Sequence, residues 1–286
     1  MNRLPNLIGI LMFFATALIG RDLKYDLSRL VTIGGPVTET VFALGMGKHV
    51  IAKDQSSIYP PDLLVGLEDV GYIRSINAEG VLSINPSLIL TTKSLGPKVA
   101  AKQLLNSGVP IHQTEKMIDL ESTIESIRVI GEILDQRDRS ENLIEEIQMN
   151  IDQAKSLYAN KKKPSVLFLM NHGGNTQAAG KGTKGHGILT LSGGENMFSD
   201  FRGYKPVSKE ALLTTYPDVI LVATMNPHLA GNNSKEILEK INLGILADLP
   251  DLRVYAIEMS YYMSFGPRTG QAVLDLTQKL FPKQSL

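Results

Sequence analysis

The chain contains no cysteine. That excludes disulfides, thiolate metal centres, cysteine nucleophiles and a lipid-modified N-terminal cysteine, so stability has to come from packing. Net charge is also missing, with 29 basic residues against 29 acidic ones. There is thus no global field to attract nucleic acid or an anionic membrane surface. The five histidines never occur as an i, i+4 pair with an intervening glutamate, which excludes the zinc-hydrolase helix. No G-x-S-x-G elbow is present. Past the N-terminus, no apolar run approaches the roughly 20 residues needed to cross a bilayer.

The N-terminus itself reads as a secretory signal. Arg3 gives a positive start, Leu7 to Leu18 forms an apolar run, and Ala15-Thr16-Ala17 offers a small-residue cleavage site. Residues 1–20 are set aside on that basis, with cleavage expected after Ala17 or Gly20. An exported chain without cysteine is expected to be a free periplasmic protein.

The remaining chain is long for one domain and, at 43% hydrophobic residues, has ample material for packed cores. Short β-type runs recur at Val31–Ile33, Leu88–Thr91, Val109–Ile111, Val166–Met170, Val219–Ala223 and Val254–Ile257. They lack alternation, as parallel strands covered on both faces should, and helical patterns separate them. Residues 120–134 carry one apolar face, and residues 138–158 carry another, with Ser140 as a candidate N-cap and Lys161-Lys162-Lys163-Pro164 as the stop. Asn85-Pro86-Ser87-Leu88 in the first half is echoed by Tyr216-Pro217-Asp218-Val219 in the second. The reading is an α/β protein of two similar lobes joined by a single long helix. Its boundaries are residues 21–136, an interlobe helix over 137–162, and residues 163–286.

Gly180-Lys181-Gly182-Thr183-Lys184-Gly185 satisfies G-x-G-x-x-G in form, but a dinucleotide site requires a strand directly before it and a helix directly after. The strand is expected to end near Met170, and the P-loop spacing fails at Asn175 and Gly182. An enzyme that uses this loop, with a role for Lys181, is the reading from another function class.

Tyr72 and Arg74 lie two residues apart in Val-Gly-Tyr-Ile-Arg. A phenolate is a hard oxygen ligand that can bind ferric haem iron. A guanidinium beside it favours the charged form, or can pair with a carboxylate in two-pronged fashion. Spacing alone also fits an ordinary half-buried loop tyrosine beside a solvated arginine.

The run Val70-Gly71-Tyr72-Ile73-Arg74 through Asn77-Ala78-Glu79-Gly80-Val81-Leu82-Ser83-Ile84-Asn85-Pro86 resembles the haem loop of periplasmic haem-binding proteins, the substrate-binding subunits of bacterial haem ABC importers. The resemblance continues in order through Gly34-Gly35-Pro36-Val37-Thr38-Glu39, Tyr59-Pro60-Pro61, Ala179-Gly180-Lys181-Gly182-Thr183, Tyr204-Lys205-Pro206 and Phe265-Gly266-Pro267-Arg268-Thr269. It implies the fold of binding proteins with a helical backbone, and a monomeric carrier rather than an enzyme. Ferric haem would be taken between the lobes and delivered to an inner-membrane permease dimer.

On this resemblance Tyr72 is the axial ligand and Arg74 its helper. His172, or less directly His186, is a candidate for a second haem. Arg268 is a candidate partner for propionates, and Tyr261 or Tyr262 for stacking on the porphyrin. Glu39 and Glu210 are expected to dock on permease arginines, one from each lobe. A cobalamin or ferric-siderophore carrier of the same fold is the nearest alternative; a haem sensor acting through another partner is a weaker one. The resemblance departs at Ile76-Asn77, and the stretch Asn171–Gly174 leaves haem stoichiometry open.

Overall fold

A computed structural model describes residues 25–172, 175–207, 212, 216–226 and 233–282. The expected signal segment and Glu210 lie outside the described residues, as does the side chain of His172.

The first lobe is built on five strands: β1 (Leu30–Thr32), β2 (Val50–Lys53), β3 (Glu68–Asp69), β4 (Leu88–Thr92) and β5 (Ile111–Thr114). They pair in the order β3-β2-β1-β4-β5, all parallel. The apolar runs at β1 and β4 are wholly buried, as the absence of alternation predicts. Helices α1 (Gly35–Ala43), α2 (Pro61–Leu64), α3 (Ala78–Ser83) and α4 (Lys98–Leu105) connect them.

Two helices then follow, α5 (Leu120–Ile133) and α6 (Arg137–Tyr158). The 22 residues of α6 reach about 33 Å at the usual helical rise. Its buried stripe is Ile144, Ile147, Ile151 and Ala154. Ser140 does not cap it. The helix starts three residues earlier, and Ser140 is buried inside it, donating to the Arg137 carbonyl. A small residue is required there because α5 presses Gly131 against it; a Cβ on Gly131 would meet the serine oxygen at 2.3 Å.

The second lobe is a six-stranded sheet containing β6 (Ser165–His172), β7 (Asn175–Ala179), β8 (Glu195–Asn196), β9 (Tyr204–Pro206), β10 (Val219–Thr224) and β11 (Arg253–Glu258). Strands β11, β10 and β6 are parallel, but β7 and β9 run antiparallel to their neighbours, so the sheet is mixed rather than parallel throughout. Helices α7 (Lys184–Leu191), α8 (Ser234–Lys240), α9 (Met259–Tyr262) and α10 (Thr269–Leu280) complete the lobe.

The sequence echo has a physical counterpart. Asn85 and Tyr216 both take positive φ, 50° and 41°. In each lobe the turn then ties back to the start of the first strand. Ser87 Oγ accepts from Arg29 N at 2.9 Å, and Asp218 Oδ2 accepts from Ser165 N at 2.7 Å. One buried cluster runs without interruption from Leu30 and Leu88, through Ile130 and Ile147, to Phe168, Leu221 and Leu276.

Candidate functional site

The Tyr72 loop is fixed from below. Gly71 takes φ +93°, a conformation available to glycine, and its amide donates to Asp69 Oδ1 at 2.8 Å. The Gly71 carbonyl accepts from Gln55 N. Ile73 and Ile76 are buried in the first lobe's core. Gly96 closes a two-way backbone bridge, donating to Ile73 O and accepting from Ile76 N. With Ile73 anchored between them, Tyr72 and Arg74 both turn outward; Tyr72 is 41% exposed. Among the described residues, neither the Tyr72 hydroxyl nor the Arg74 guanidinium makes a hydrogen bond or ion pair.

Both residues line a recess of about 150 Å³ that also takes in Gly34, Gly35, Pro36, Ser56, Thr92, Lys116 and Met117 from the first lobe, and Lys184 from the second. Its volume is below the ~300 Å³ of a small enclosed ligand site, so it suits one edge of a larger ligand rather than the whole of it. Among the described residues its wall holds three cations, Arg74, Lys116 and Lys184, and no carboxylate. Near Tyr72 in sequence, the 58–65 segment leaves Ile58, Tyr59, Leu63 and Val65 exposed, Val65 at 83%.

The back wall depends on a buried carboxylate. Asp54 accepts from Gly34 N at 2.8 Å, Ser56 N at 3.1 Å, Ser56 Oγ at 2.7 Å and Ser57 Oγ at 2.6 Å. This locks the turn entering α1 onto the loop after β2. Gly34 has φ +112°, and a Cβ on Gly35 would stand 2.8 Å from the Ser56 carbonyl oxygen.

The two glycine-proline motifs meet at the seam between the lobes. Gly266 packs against Pro36, and Thr123 donates to the Phe265 carbonyl. Glu39 is not an exposed docking residue: it is 5% exposed, and Arg268 binds it through two prongs, Nε to Oε2 at 3.0 Å and Nη2 to Oε1 at 2.8 Å. Ser264 Oγ adds a third bond at 3.1 Å. Arg268 is therefore committed to Glu39, and its guanidinium also lies 3.7 Å from the Tyr59 ring centroid and 5.2 Å from that of Tyr261. Burial alone would weaken its hold on the proton, but the Glu39 hydrogen bonds and charge reverse this, and its pKa is raised.

The aromatic pair is differently employed as well. Tyr262 is buried in the core, which removes it from stacking on a ligand. Desolvation, with the charges of Asp275 and Glu258, pushes its hydroxyl up to about 12. Tyr261 donates to Asp275 Oδ2 at 2.7 Å, and burial first, then that bond, holds its pKa above the usual range.

His172 ends β6, at the hairpin register His172↔Asn175. His186 lies in α7 with Nδ1 3.0 Å from Asn196 Nδ2, which also donates to Ala179 O. That makes Nδ1 an acceptor and the ring neutral, and desolvation followed by Lys181 lowers its pKa. Among the described residues no group of three acidic or histidine side chains could hold a metal.

The glycine loop does have the strand and helix that its sequence context lacked, since β7 ends at Ala179 and α7 begins at Lys184. Two of its glycines are nevertheless there for packing inside the protein. A Cβ on Gly180 would meet Phe201 at 2.5 Å, and one on Gly185 would meet Phe168 at 2.7 Å. Thr183 turns inward to cap α7, accepting from His186 N. What the loop supplies to the cleft is Lys184, a residue that phosphate-centred motif reading passed over.

Glu79 is also missed by motif reading. It stands six residues before Asn85, as Glu210 stands six before Tyr216, so the internal echo pairs these two glutamates. Glu79 is exposed, in the first turn of α3, where Asn77 Oδ1 caps the Glu79 amide at 2.9 Å.

Among solved structures the chain is similar to the apo form of the periplasmic heme-binding protein RhuT from Roseiflexus sp. RS-1. Identity is 34%, over 89% of this chain and 98% of that one, with a TM-score of 0.79. The periplasmic heme-binding protein HutB of Vibrio cholerae is similar at 28% identity over 90% and 100%, TM-score 0.77. A vitamin B12-binding protein of Pectobacterium atrosepticum is 27% identical over 72% of this chain and 75% of its own length. A profile of the periplasmic binding protein family matches residues 30–243, and with this match covering well over half of the chain, the chain belongs to that family.

Proposed function

We propose that the protein is an extracytoplasmic carrier that takes ferric haem into the cleft between its lobes and passes it to an ABC importer. The observation that carries this is Tyr72: an exposed tyrosine whose hydroxyl is unengaged among the described residues, at the edge of a recess where those residues place three cations and no carboxylate. Its phenolate is the ligand for ferric iron, and Arg74 beside it is placed to pair with a propionate. The recess accepts the carboxylate-bearing edge of the porphyrin, while the exposed apolar residues of the 58–65 segment offer cover for the ring. RhuT and HutB support this choice of cargo.

Export by residues 1–20 and a soluble, monomeric carrier complete the reading. For permease docking, Glu79 replaces Glu39 as the first-lobe partner of Glu210, because a carboxylate already saturated inside the seam has nothing to offer an arginine outside. His172 remains the candidate for a second haem.

The test is an absorbance titration of the mature protein with ferric haem, beside Tyr72→Ala. Tyr72 is too exposed for its loss to unfold the protein. The expected result is a saturable Soret shift with a long-wavelength charge-transfer band, both lost in the variant; the endpoint counts one haem or two. No saturable change in the wild type, or an identical one in Tyr72→Ala, would overturn the reading. Saturable binding of cyanocobalamin instead would move the assignment to the corrinoid carriers.

A further inference from the structure

Lys184 reaches the cleft from the second lobe, opposite Tyr72 and Arg74, as the first residue of α7. An ammonium has three protons to donate. The described residues accept one of them, at the Ser264 carbonyl 2.8 Å away. The carboxylate that acts on it, Glu39, is already held by Arg268 through two prongs.

This is an unbalanced arrangement. Desolvation lowers the Lys184 pKa most, the Glu39 charge partly restores it, Arg74 lowers it again, and the net value is about 8. A desolvated cation that faces like charges, has the Phe265 ring 6.0 Å away and has no free counter-ion among the described residues is stabilised by whatever anion enters the recess.

We propose that Lys184 is a specificity-determining residue of the cleft, the second-lobe cation that reads free carboxylates on the entering edge of the ligand, with Arg74 and Lys116 facing it from the first lobe. This deepens the haem reading and rests on it. The role expected from Arg268 thereby falls to a residue whose donors are not already spent. The ligand class follows from the charge: an anionic porphyrin with unesterified side chains is favoured, and one whose carboxylates are masked is not.

The experiment compares ferric protoporphyrin with its dimethyl ester on the wild type, Lys184→Met and Lys184→Arg, by Soret titration in one detergent buffer. Losing a charged hydrogen bond to a carboxylate is expected to weaken the free acid roughly 10- to 100-fold in Lys184→Met. Affinity for the ester should change by less than about twofold, while Lys184→Arg retains most of the preference for the acid. The acid-to-ester ratio is internal to each variant, so a smaller folded fraction changes amplitude and leaves the ratio intact. Equal weakening of both ligands, or of neither, overturns the role of Lys184 and leaves haem carriage standing. A wild type that binds neither porphyrin overturns both.

Discussion

Removing one partner of the Glu39–Arg268 pair should cost far more than an ordinary surface ion pair would. The Glu39 side chain is 6% exposed and that of Arg268 is 19% exposed. Three hydrogen bonds converge on the carboxylate, and the two residues belong to different lobes. Breaking a buried pair of this kind costs about 3–5 kcal/mol, because the survivor is left desolvated without its counter-charge. Glu39→Ala should fall at the lower end, about 3 kcal/mol, since Arg268 keeps some water and the face of Tyr59. For a chain of this size that corresponds to a drop of about 6–12 °C in Tm. Arg268→Met leaves the more buried charge behind and should cost at least as much. The double variant Glu39→Ala/Arg268→Met removes both charges, so its cost should be less than the sum of the two by about 1.5 kcal/mol or more. Urea unfolding of all four proteins, followed by circular dichroism at pH 7, measures this directly. Single-variant costs under about 1 kcal/mol, or additivity within ~0.5 kcal/mol, would refute the claim that this pair holds the seam.

Stability should also respond to alkaline pH through Lys184. Its folded pKa of about 8 lies below the ordinary 10.5, so between those values the unfolded chain binds more protons, and stability rises with pH. The rise amounts to about 2 kcal/mol between pH 8 and 10; Tyr261 and Tyr262, whose folded pKa values lie above the ordinary 10, oppose it only toward the top of that range. The wild-type minus Lys184→Met difference in urea midpoint across that range should show it, and a flat difference would refute it. Asp54→Ala strands four donors, two of them fully buried, and should cost about 3–5 kcal/mol, with Asp54→Asn losing less. A thermal shift of under about 2 °C for Asp54→Ala would show that the turn into α1 does not depend on it.

Local pattern carried a good part of this structure. The buried strands β1, β4, β6 and β10 were legible because parallel strands covered on both faces need uninterrupted apolar residues. The long helix was legible because its stripe repeats through Ile144, Ile147 and Ile151. Tyr72 and Arg74 were legible as a pair because residues i and i+2 share a side when the one between them is buried. The short strands β7 and β9 were not, since Asn-Thr-Gln and Tyr-Lys-Pro have no apolar periodicity and form strands only against β6 and each other. Glu39 was misread for a related reason. A carboxylate early in a helix suits the dipole, and the partner that buries it lies 229 residues away. A local clue was present: Val37, Thr38, Thr40 and Val41 around it are all buried, which is poor company for a surface glutamate. Lys184 was hidden by the motif containing it, because attention to glycines and phosphates made it a spacer.

The apolar cluster that runs from one sheet through α5 and α6 into the other has a consequence for how such proteins can change over generations. Loops on the cleft rim, such as the one bearing Tyr72, can be rewritten singly, since each is anchored by its own few buried residues. The halves cannot be traded so freely. A recombination breakpoint within α6 would join two surfaces shaped against different partners, and the mismatch would fall inside a continuous core rather than at a pliable hinge. New cargo is therefore more accessible to this architecture through point changes at the cleft than through the shuffling of lobes.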